Sequence, residues 1–327
     1  MTKQLQTWLS RRETGVALIL ACTMAGAGLA NPAFLSAGNL RDMLVQCVPG
    51  IIVGCGLTLV IVTGEIDISV GSLMGLLAAA IGLLTSSQHA GLPVAAGVAL
   101  TLLLGALVGL VNGVLVTVGR VPSIIVTLGM LTALRGATEL LMGGTWITAL
   151  PDGLRFLGTG SVLGIRVSLW TAAAAVAVTA CLVRYTPLGR RIYAVGSNPQ
   201  AARLAGLSPN RVRLFAFAFT GFLVGVATVV SVPQMSVIES GVGIGLELFV
   251  VTAVVVGGTS ISGGRGTVWG TLLGVLLLGS VRTVLIFLNL GERATYWERA
   301  IQGGFILAAV LLDHVTRRRR AACAATA

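Results

Sequence analysis

A few polar side chains lie within or beside long apolar stretches of this chain, and their types and spacing could do chemistry. Arg135 and Glu139 are four positions apart, so a helix places them on one face. That spacing fits a buried ion pair that fixes helix packing, and it also fits hydrogen bonding to a polar solute. Because a charge at the centre of a bilayer costs about 2.5–3.5 kcal/mol, each group needs a partner or a watery path.

Two further sets of polar residues lie at the edges of apolar stretches. Asp67 and Ser69 can cap the helix that follows them, since short acceptors receive its free N–H groups. The alternative role of Glu65 and Asp67 is to gate or line a solute path. Glu247 and Arg282, on two later stretches, are predicted to pair across helices, with path lining as the alternative.

No combination of residues in the sequence has the pattern of a catalytic centre. His89 and His314 fall on opposite sides of the expected topology, and neither an HExxH nor a GxSxG motif occurs. The only lysine is Lys3, so the chain has no P-loop and cannot hydrolyse ATP by that motif. We therefore expect a non-catalytic chain without metal or cofactor, and any ATPase must be a separate subunit.

The composition is too apolar for a soluble protein. Charged residues make up 10% of the 327 residues and hydrophobic residues 55%, whereas soluble domains carry about 25% charged residues. A soluble enzyme, a disordered protein and a collagen-like fibre are excluded, which leaves an all-α polytopic membrane protein. The net charge of +11 comes from arginines placed between apolar stretches, so nucleic acid is not an expected partner.

Ten stretches are predicted to cross a membrane as helices. A hydrocarbon core about 30 Å thick needs roughly 20 apolar residues at 1.5 Å per residue. Eight stretches are clear: 15–30, 44–63, 68–85, 92–118, 123–142, 167–183, 214–232 and 267–290. The stretches 246–258 and 300–312 are short for a straight crossing, and eight spans is the fallback if both fail.

The basic residues orient these spans. With ten crossings, 15 of the 22 basic residues fall on one face and five on the other, while Arg135 and Arg282 fall inside spans. The positive-inside rule makes the richer face cytoplasmic. We expect a cytoplasmic segment 1–13, a membrane region 14–313 and a basic cytoplasmic tail 314–327.

Small residues in two spans suggest an internal repeat. The fourth span carries Asn112 among glycines spaced four apart, and the ninth has glycines at the same spacing: Gly105, Gly109, Gly113, and Gly266, Gly270, Gly274. Such spacing lets helices approach closely. Because the two spans are five apart and run in opposite directions, they favour an inverted repeat of spans 2–5 and 7–10.

The cytoplasmic connection 184–213 carries the strongest local signals. Asn198 is a favoured N-cap, Pro199 suits the first helical position, and Gly206 suits the left-handed position after a helix. We predict a short helix over 200–205 that docks into a separate protein; a solvated basic loop is the alternative. The predicted coupling residues are Asn198, Pro199, Ala202, Arg203, Gly206 and Leu207.

At this connection the chain resembles the permease subunits of ABC-type monosaccharide importers, the ribose, xylose, arabinose and rhamnose group. Gly206 matches that family's glycine after an Ala-rich turn. Residues 63–72, TGEIDISVGS, resemble its GGIDLSVGS segment, and residues 122–129, PSIIVTLG, resemble its PSFIVTLG segment. Glu65 departs from the glycine of many members. The outer segment 143–151 looks nearest to permeases for autoinducer-2 or rhamnose.

The resemblance covers about residues 15–315, and it implies a multi-pass protein of the bacterial inner membrane. It implies an assembly with a second copy or a related permease, sugar ABC ATPase subunits and an extracytoplasmic sugar-binding protein. It also implies a small sugar as the cargo and membrane lipid around the helices. The candidate residues of the translocation path are Glu65, Asp67, Ser69, Asn112, Arg135, Glu139, Glu247 and Arg282.

The alternative function is a secondary transporter or channel for small polar solutes, which needs no partner ATPase. The capped inner helix argues against it. A carrier driven by protons or sodium would also often carry more carboxylates within its spans.

Overall fold

The computed structural model describes residues 12–288, 296–298, 300–305, 307–308 and 311. The helices in chain order are α1 (Arg12–Ala30), α2 (Ala37–Val62), α3 (Val70–Thr85), α4 (Val94–Thr117), α5 (Ser123–Met142), α6 (Asp152–Thr159), α7 (Val167–Tyr185), α8 (Pro187–Ser197), α9 (Pro199–Leu204), α10 (Pro209–Ser231), α11 (Leu246–Val256) and α12 (Val268–Phe287). Short 3-10 turns occupy Pro32–Leu35 and Val232–Gln234, and a two-residue hairpin pairs β1 (Ser161–Val162) with β2 (Ile165–Arg166).

The prediction of an all-α polytopic membrane protein is confirmed. Seven described helices are long and apolar enough to cross a membrane. Two more apolar helices are shorter: α3 has 16 residues and α11 has 11. At 1.5 Å per residue they measure about 24 Å and about 16 Å, less than the core thickness of about 30 Å. The predicted tenth stretch, 300–312, falls partly outside the described residues, as do the terminal segments.

Helix α2 is the centre of the molecule. Within its most apolar window, 89% of the residues are buried, compared with 17% for α1 at the periphery. A helix that is apolar on all sides requires such surroundings, and α2 packs against α7, α10, α11 and α12. Its partner α10 is also largely buried and packs along α4.

The two glycine series allow close helix contacts, but with different neighbours. Gly105 and Gly109 face backbone carbonyls of α10, so a Cβ at either position would overlap that helix. Gly274 instead faces the Ala253 carbonyl of α11, and Gly270 faces the carbonyl of Gly257, just after α11. The predicted close approach is therefore present in both spans.

Several short elements outside the long helices have no counterpart in the sequence predictions. The outer connection folds as α6 and the β1–β2 hairpin, and the inner connection contains α8 in addition to the predicted helix. An isolated antiparallel bridge joins Ile147 to Ile238, with N–H···O distances of 3.1 and 3.0 Å. These two fully buried isoleucines hold the two outer connections together.

Candidate functional site

The inner connection presents a short helix fixed at both ends by its own sequence. The Asn198 Oδ1 accepts the N–H groups of Gln200 and Ala201, each at 3.0 Å, and Pro199 occupies the first position of α9. Gly206 follows with φ +79°. Its N–H donates to Arg203 O at 2.9 Å, and the next N–H donates to Ala202 O at 3.0 Å. The predicted helix over 200–205 is confirmed, observed one residue earlier at Pro199–Leu204.

The side chains of α9 divide into an inner and an outer set. Ala202 is 5% exposed and packs in a cluster with Val195 and Val212, and the half-buried Leu207 packs against the same cluster. These two predicted coupling residues hold the helix against the protein. Arg203 is exposed, and Leu204 is 92% exposed. Leu204 is the residue that sequence reasoning missed, although it lies two positions from Ala202 and so on the opposite helix face.

Helix α8 contacts the end of α2 and the residues that lead into α12. The Tyr193 hydroxyl donates to Gly266 O at 2.6 Å, just before α12. Near the C-terminal end of α8, a Cβ at Gly196 would overlap Val62 O at the end of α2, and that carbonyl also accepts the N–H of Gly264 at 2.8 Å. Burial, with a smaller contribution from Glu13, raises the pKa of Tyr193, so its hydroxyl stays protonated and remains a donor. Helix α8, and with it α9, is thereby held against the end of α2 and the residues just before α12.

An inner polar cluster lies at the start of α3. Glu65 and Arg213 form an ion pair with a 3.0 Å Oε1–Nε distance, and their side chains are only 13% and 21% exposed. Asp67 is 3% exposed. Its Oδ1 accepts the Ser69 N–H at 2.9 Å and the Ser69 hydroxyl at 2.6 Å, while Asn112 Nδ2 donates to Ser69 Oγ at 2.9 Å. The structure thus brings four predicted path residues together and adds Arg213.

This cluster corrects the predicted capping role in part. Asp67 accepts the N–H of the residue just before α3, as an N-terminal acceptor does. Ser69 holds the N-cap position, but its side chain makes no capping bond, because its hydroxyl donates back to Asp67.

The two segments that resemble family motifs touch each other at the same place. The N–H of Ile66 donates to Ser123 Oγ at 3.1 Å, and the Thr127 hydroxyl lies 3.4 Å from Ile66 O. Ser123 and Thr127 belong to the segment 122–129, and Ile66 belongs to 63–72. The first turn of α5 therefore fixes the connection that leads into α3.

The predicted ion pair between Arg135 and Glu139 is wrong. Arg135 Nη1 donates instead to Ser240 O at 2.7 Å and to Val242 O at 3.0 Å, in the connection before α11. A guanidinium has five N–H donors and suits adjacent carbonyl groups. Glu139 is exposed and borders a small outer cavity of about 100 Å³ together with Trp146.

Glu247 lies where the first turns of the two short helices meet. Its Oε1 accepts the Gly245 N–H at 3.2 Å, and its Oε2 is buried with no hydrogen-bond partner. A Cβ at Gly71, in the first turn of α3, would overlap this carboxylate and the carbonyl of Gly243. Only glycine at position 71 permits the approach. Arg135 and Glu247 thus hold the same segment, 240–247, against α3.

The predicted pairing of Glu247 with Arg282 is also wrong. Arg282 lies near the far end of α12, where its Nε is 3.9 Å from Glu298 Oε2, and its side chain is 56% exposed. It is therefore separate from the other candidate path residues. Among the described residues, no group of three or more His, Cys, Asp or Glu side chains could hold a metal ion.

Buried polar groups around the two short apolar helices α3 and α11, within a bundle of long apolar helices, are typical of a transport permease. The comparison with known proteins agrees with this class. Residues 39–310 match the family described as "Branched-chain amino acid transport system / permease component", and the chain belongs to that family.

Curated relatives match over nearly the whole chain. The "Ribose import permease protein RbsC" of Haemophilus influenzae is 36% identical over 315 residues, covering 95% of both chains. The "L-arabinose ABC transporter permease protein AraH" of Azospirillum brasilense is 34% identical, covering 96% of this chain and 91% of its own. The "Autoinducer 2 import system permease protein LsrC" of Yersinia pseudotuberculosis is 35% identical, covering 94% and 86%. No solved structure gives a significant match.

Proposed function

We propose that this chain is the transmembrane permease subunit of an ATP-binding-cassette importer that carries a monosaccharide or a related sugar-like molecule into the cytoplasm. The names of the three relatives support the import function and the cargo class, although the family description refers to branched-chain amino acids. A multi-pass location in the bacterial inner membrane follows from the same likeness and from the apolar helices.

ATP hydrolysis in the partner subunit is coupled to transport through α9, and the structure of this helix is the main support for the proposal. Its Asn198 cap and the Gly206 stop make it rigid, and Leu204 projects 92% exposed from it. An exposed large apolar side chain on a rigid, basic surface suits a pocket on another protein. The ATPase subunit takes this position and hydrolyses ATP in the partner chain, since this sequence lacks a P-loop.

The sugar path runs past the junction of α3 and α11. Arg135 and Glu247 line its upper part, and Asn112 with Asp67 and Ser69 lines the part nearer the cytoplasm. A junction of short helices with irregular backbone at membrane depth is typical of transporter binding regions. Glu139 belongs to the outer mouth. The position of Arg282 does not support a role in the path, because its side chain lies near Glu298 at the far end of α12.

The topology is ten crossings with both termini cytoplasmic and an inverted repeat of spans 2–5 and 7–10. Contacts of α4 with α10 and of α12 with α2 support the repeat, because these are spans 4 with 7 and 9 with 2. A twofold relation between the halves exchanges these two pairs. The two short helices, α3 and α11, also occupy corresponding positions.

The complete importer contains a second permease copy or a related permease and an extracytoplasmic sugar-binding protein. The permease holds sugar weakly so that it can be released, and the binding protein supplies the affinity. The ordered outer surface of α6 and the β1–β2 hairpin offers the place for that protein to dock.

Co-purification tests the docking role of α9. We expect Leu204→Glu to lose the ATPase subunit while the permease stays in the membrane, because the variant places a carboxylate in the partner's apolar pocket. Leu163→Glu is the matched control, since Leu163 is 89% exposed in the outer hairpin. Retention of the ATPase subunit by Leu204→Glu at the level of Leu163→Glu would overturn the proposal.

A further inference from the structure

A groove between α7 and α12 lies apart from the polar clusters. Its volume is about 510 Å³, and Ile51 of α2 forms part of its floor. Small side chains of α7, including Ala173, Ala177 and Ala180, form one wall, and Leu272 of α12 lies on the other. The groove exists because α7 carries alanine at the positions where larger side chains would meet α12.

The groove has the length of one bilayer leaflet. Its lining on α7 runs from Ala172 to Tyr185, thirteen residues along the helix. Thirteen residues rise about 20 Å, and half of the hydrocarbon core is about 15 Å. Because Arg184 lies in the last turn of α7, followed by α8 and α9, the groove reaches from the cytoplasmic interface toward the bilayer centre.

The cytoplasmic mouth carries the groups that suit a lipid headgroup. Among the described residues that line the groove, Arg184 alone is charged. Its guanidinium lies 5.5 Å from the centre of the Tyr185 ring, and Trp269 on the opposite wall is 57% exposed. Tyr and Trp are typical of the membrane interface, and a guanidinium matches phosphate oxygens in charge and geometry.

We propose that this groove binds an anionic glycerophospholipid of the inner leaflet, with one acyl chain along the alanines of α7 and the phosphate at Arg184. The lining favours a lipid over a helix of a second copy, because one end of an otherwise apolar groove carries a single cation, Arg184, between interfacial aromatic residues.

Native mass spectrometry of the full-length permease in mild detergent tests the site, after incubation with equal amounts of phosphatidylglycerol and phosphatidylcholine. We expect the wild type to retain phosphatidylglycerol preferentially. Arg184→Gln is expected to reduce that preference about fivefold, the factor for one basic residue at an anionic surface. Ala177→Trp, which fills the groove, is expected to retain neither lipid.

The matched control is Arg120→Gln, which removes another exposed arginine of the cytoplasmic side that does not line the groove. It is expected to behave as the wild type. Equal retention of both lipids by the wild type would overturn the proposal, and so would unchanged retention in Ala177→Trp. Loss of permease dimers in Ala177→Trp with lipid retention unchanged would assign the groove to a second copy instead.

Discussion

At the scale of single residues, Glu247 is a carboxylate with only one of its oxygens hydrogen-bonded, at the junction of the two short helices. One carboxylate oxygen accepts the Gly245 N–H, and the other is buried without a partner. A buried acceptor with no partner costs about 1–3 kcal/mol, and more when charged. Polar residues at membrane depth that bear such a cost commonly serve a solute path.

Replacing Glu247 with glutamine tests this role. We expect sugar uptake to fall about tenfold or more, a loss of about 1.4 kcal/mol of transition-state stabilisation, because the amide keeps the shape but loses the charge. The measurement is the initial rate of uptake in cells with equal permease in the membrane. Glu239→Gln is the control, since Glu239 is exposed in the same connection. An uptake rate in Glu247→Gln equal to that of the control would contradict a path role.

The Glu65–Arg213 ion pair joins the start of α10 to the connection before α3. Removing one partner of a buried pair leaves the other charge without compensation, at a cost of about 3–5 kcal/mol. Both side chains are partly solvated, so the cost here is smaller. We expect Glu65→Gln or Arg213→Gln alone to lower the free energy of unfolding by about 1–2 kcal/mol. Thermal unfolding of the purified permease measures this loss.

The pair is also expected to couple ATP hydrolysis to transport. We expect Glu65→Gln and Arg213→Gln each to lower sugar uptake per ATP hydrolysed in the assembled importer. The double variant should be no worse than the more impaired single variant, because both changes break one interaction. Additive losses would show that the two residues act independently.

Sequence patterns identified the residue types of the inner cluster but not their partners. Asp67, Ser69 and Asn112 were all candidates, and the structure joins them by hydrogen bonds. The partners of Arg135 are backbone carbonyls about 105 residues further along the chain. No local pattern encodes such a contact, because it depends on how the connection 232–245 folds back between helices.

At the scale of elements, α9 was predictable because its ends are determined locally. The capping side chain, the proline and the terminal glycine all lie within nine residues of one another. Helix α8 carries equivalent signals, since Thr186 accepts the Gly189 N–H at 3.2 Å and Pro187 follows it. Helix α8 is therefore predictable by the same reasoning. The burial of Ala202 is not predictable from local sequence, because it depends on the packing of α8 and α10.

The left-handed turn at Gly206 ends α9, and changing it tests whether the rigidity of this helix matters. Valine there must adopt φ +79°, a conformation that costs about 1–3 kcal/mol for such a residue. No atom lies within 4 Å of a Cβ at this position, so the effect is conformational rather than a clash. We expect Gly206→Val to reduce sugar uptake strongly while the permease remains in the membrane.

Gly206→Asn is the matched control for this strain, because asparagine tolerates the left-handed conformation. It is expected to retain most of the uptake. Equal uptake by Gly206→Val and Gly206→Asn would show that the left-handed turn does not matter. Equal loss in both would show that the site requires the absence of a side chain instead.

At the scale of the whole molecule, apolar length and arginine placement predicted the architecture but not its irregular centre. The long helices follow from composition alone, since each spans enough apolar residues. The short helices α3 and α11 depend on tertiary contacts, such as the approach of Gly71 to Glu247. Local sequence cannot distinguish a short helix from a span whose ends are uncertain.

The orientation of the whole chain is testable by cysteine labelling in a variant without its five native cysteines. We expect a cysteine at position 153, exposed in α6, to react with an impermeant reagent from outside. A cysteine at position 208, exposed after α9, should react only from the cytoplasmic side. The reverse pattern would contradict the assignment of α9 to the cytoplasm.

Transport through this permease is proposed to use ATP hydrolysed by a partner subunit. Sugar uptake into proteoliposomes that contain the permease tests this directly, with labelled ribose and arabinose as cargo and leucine as comparison. We predict uptake of at least one sugar only when the ATPase subunit, ATP on the cytoplasmic face of the permease and the sugar-binding protein are all present, and loss of uptake in Leu204→Glu. Uptake by the permease alone, down a gradient and without ATP, would show that this chain is a channel or secondary transporter instead.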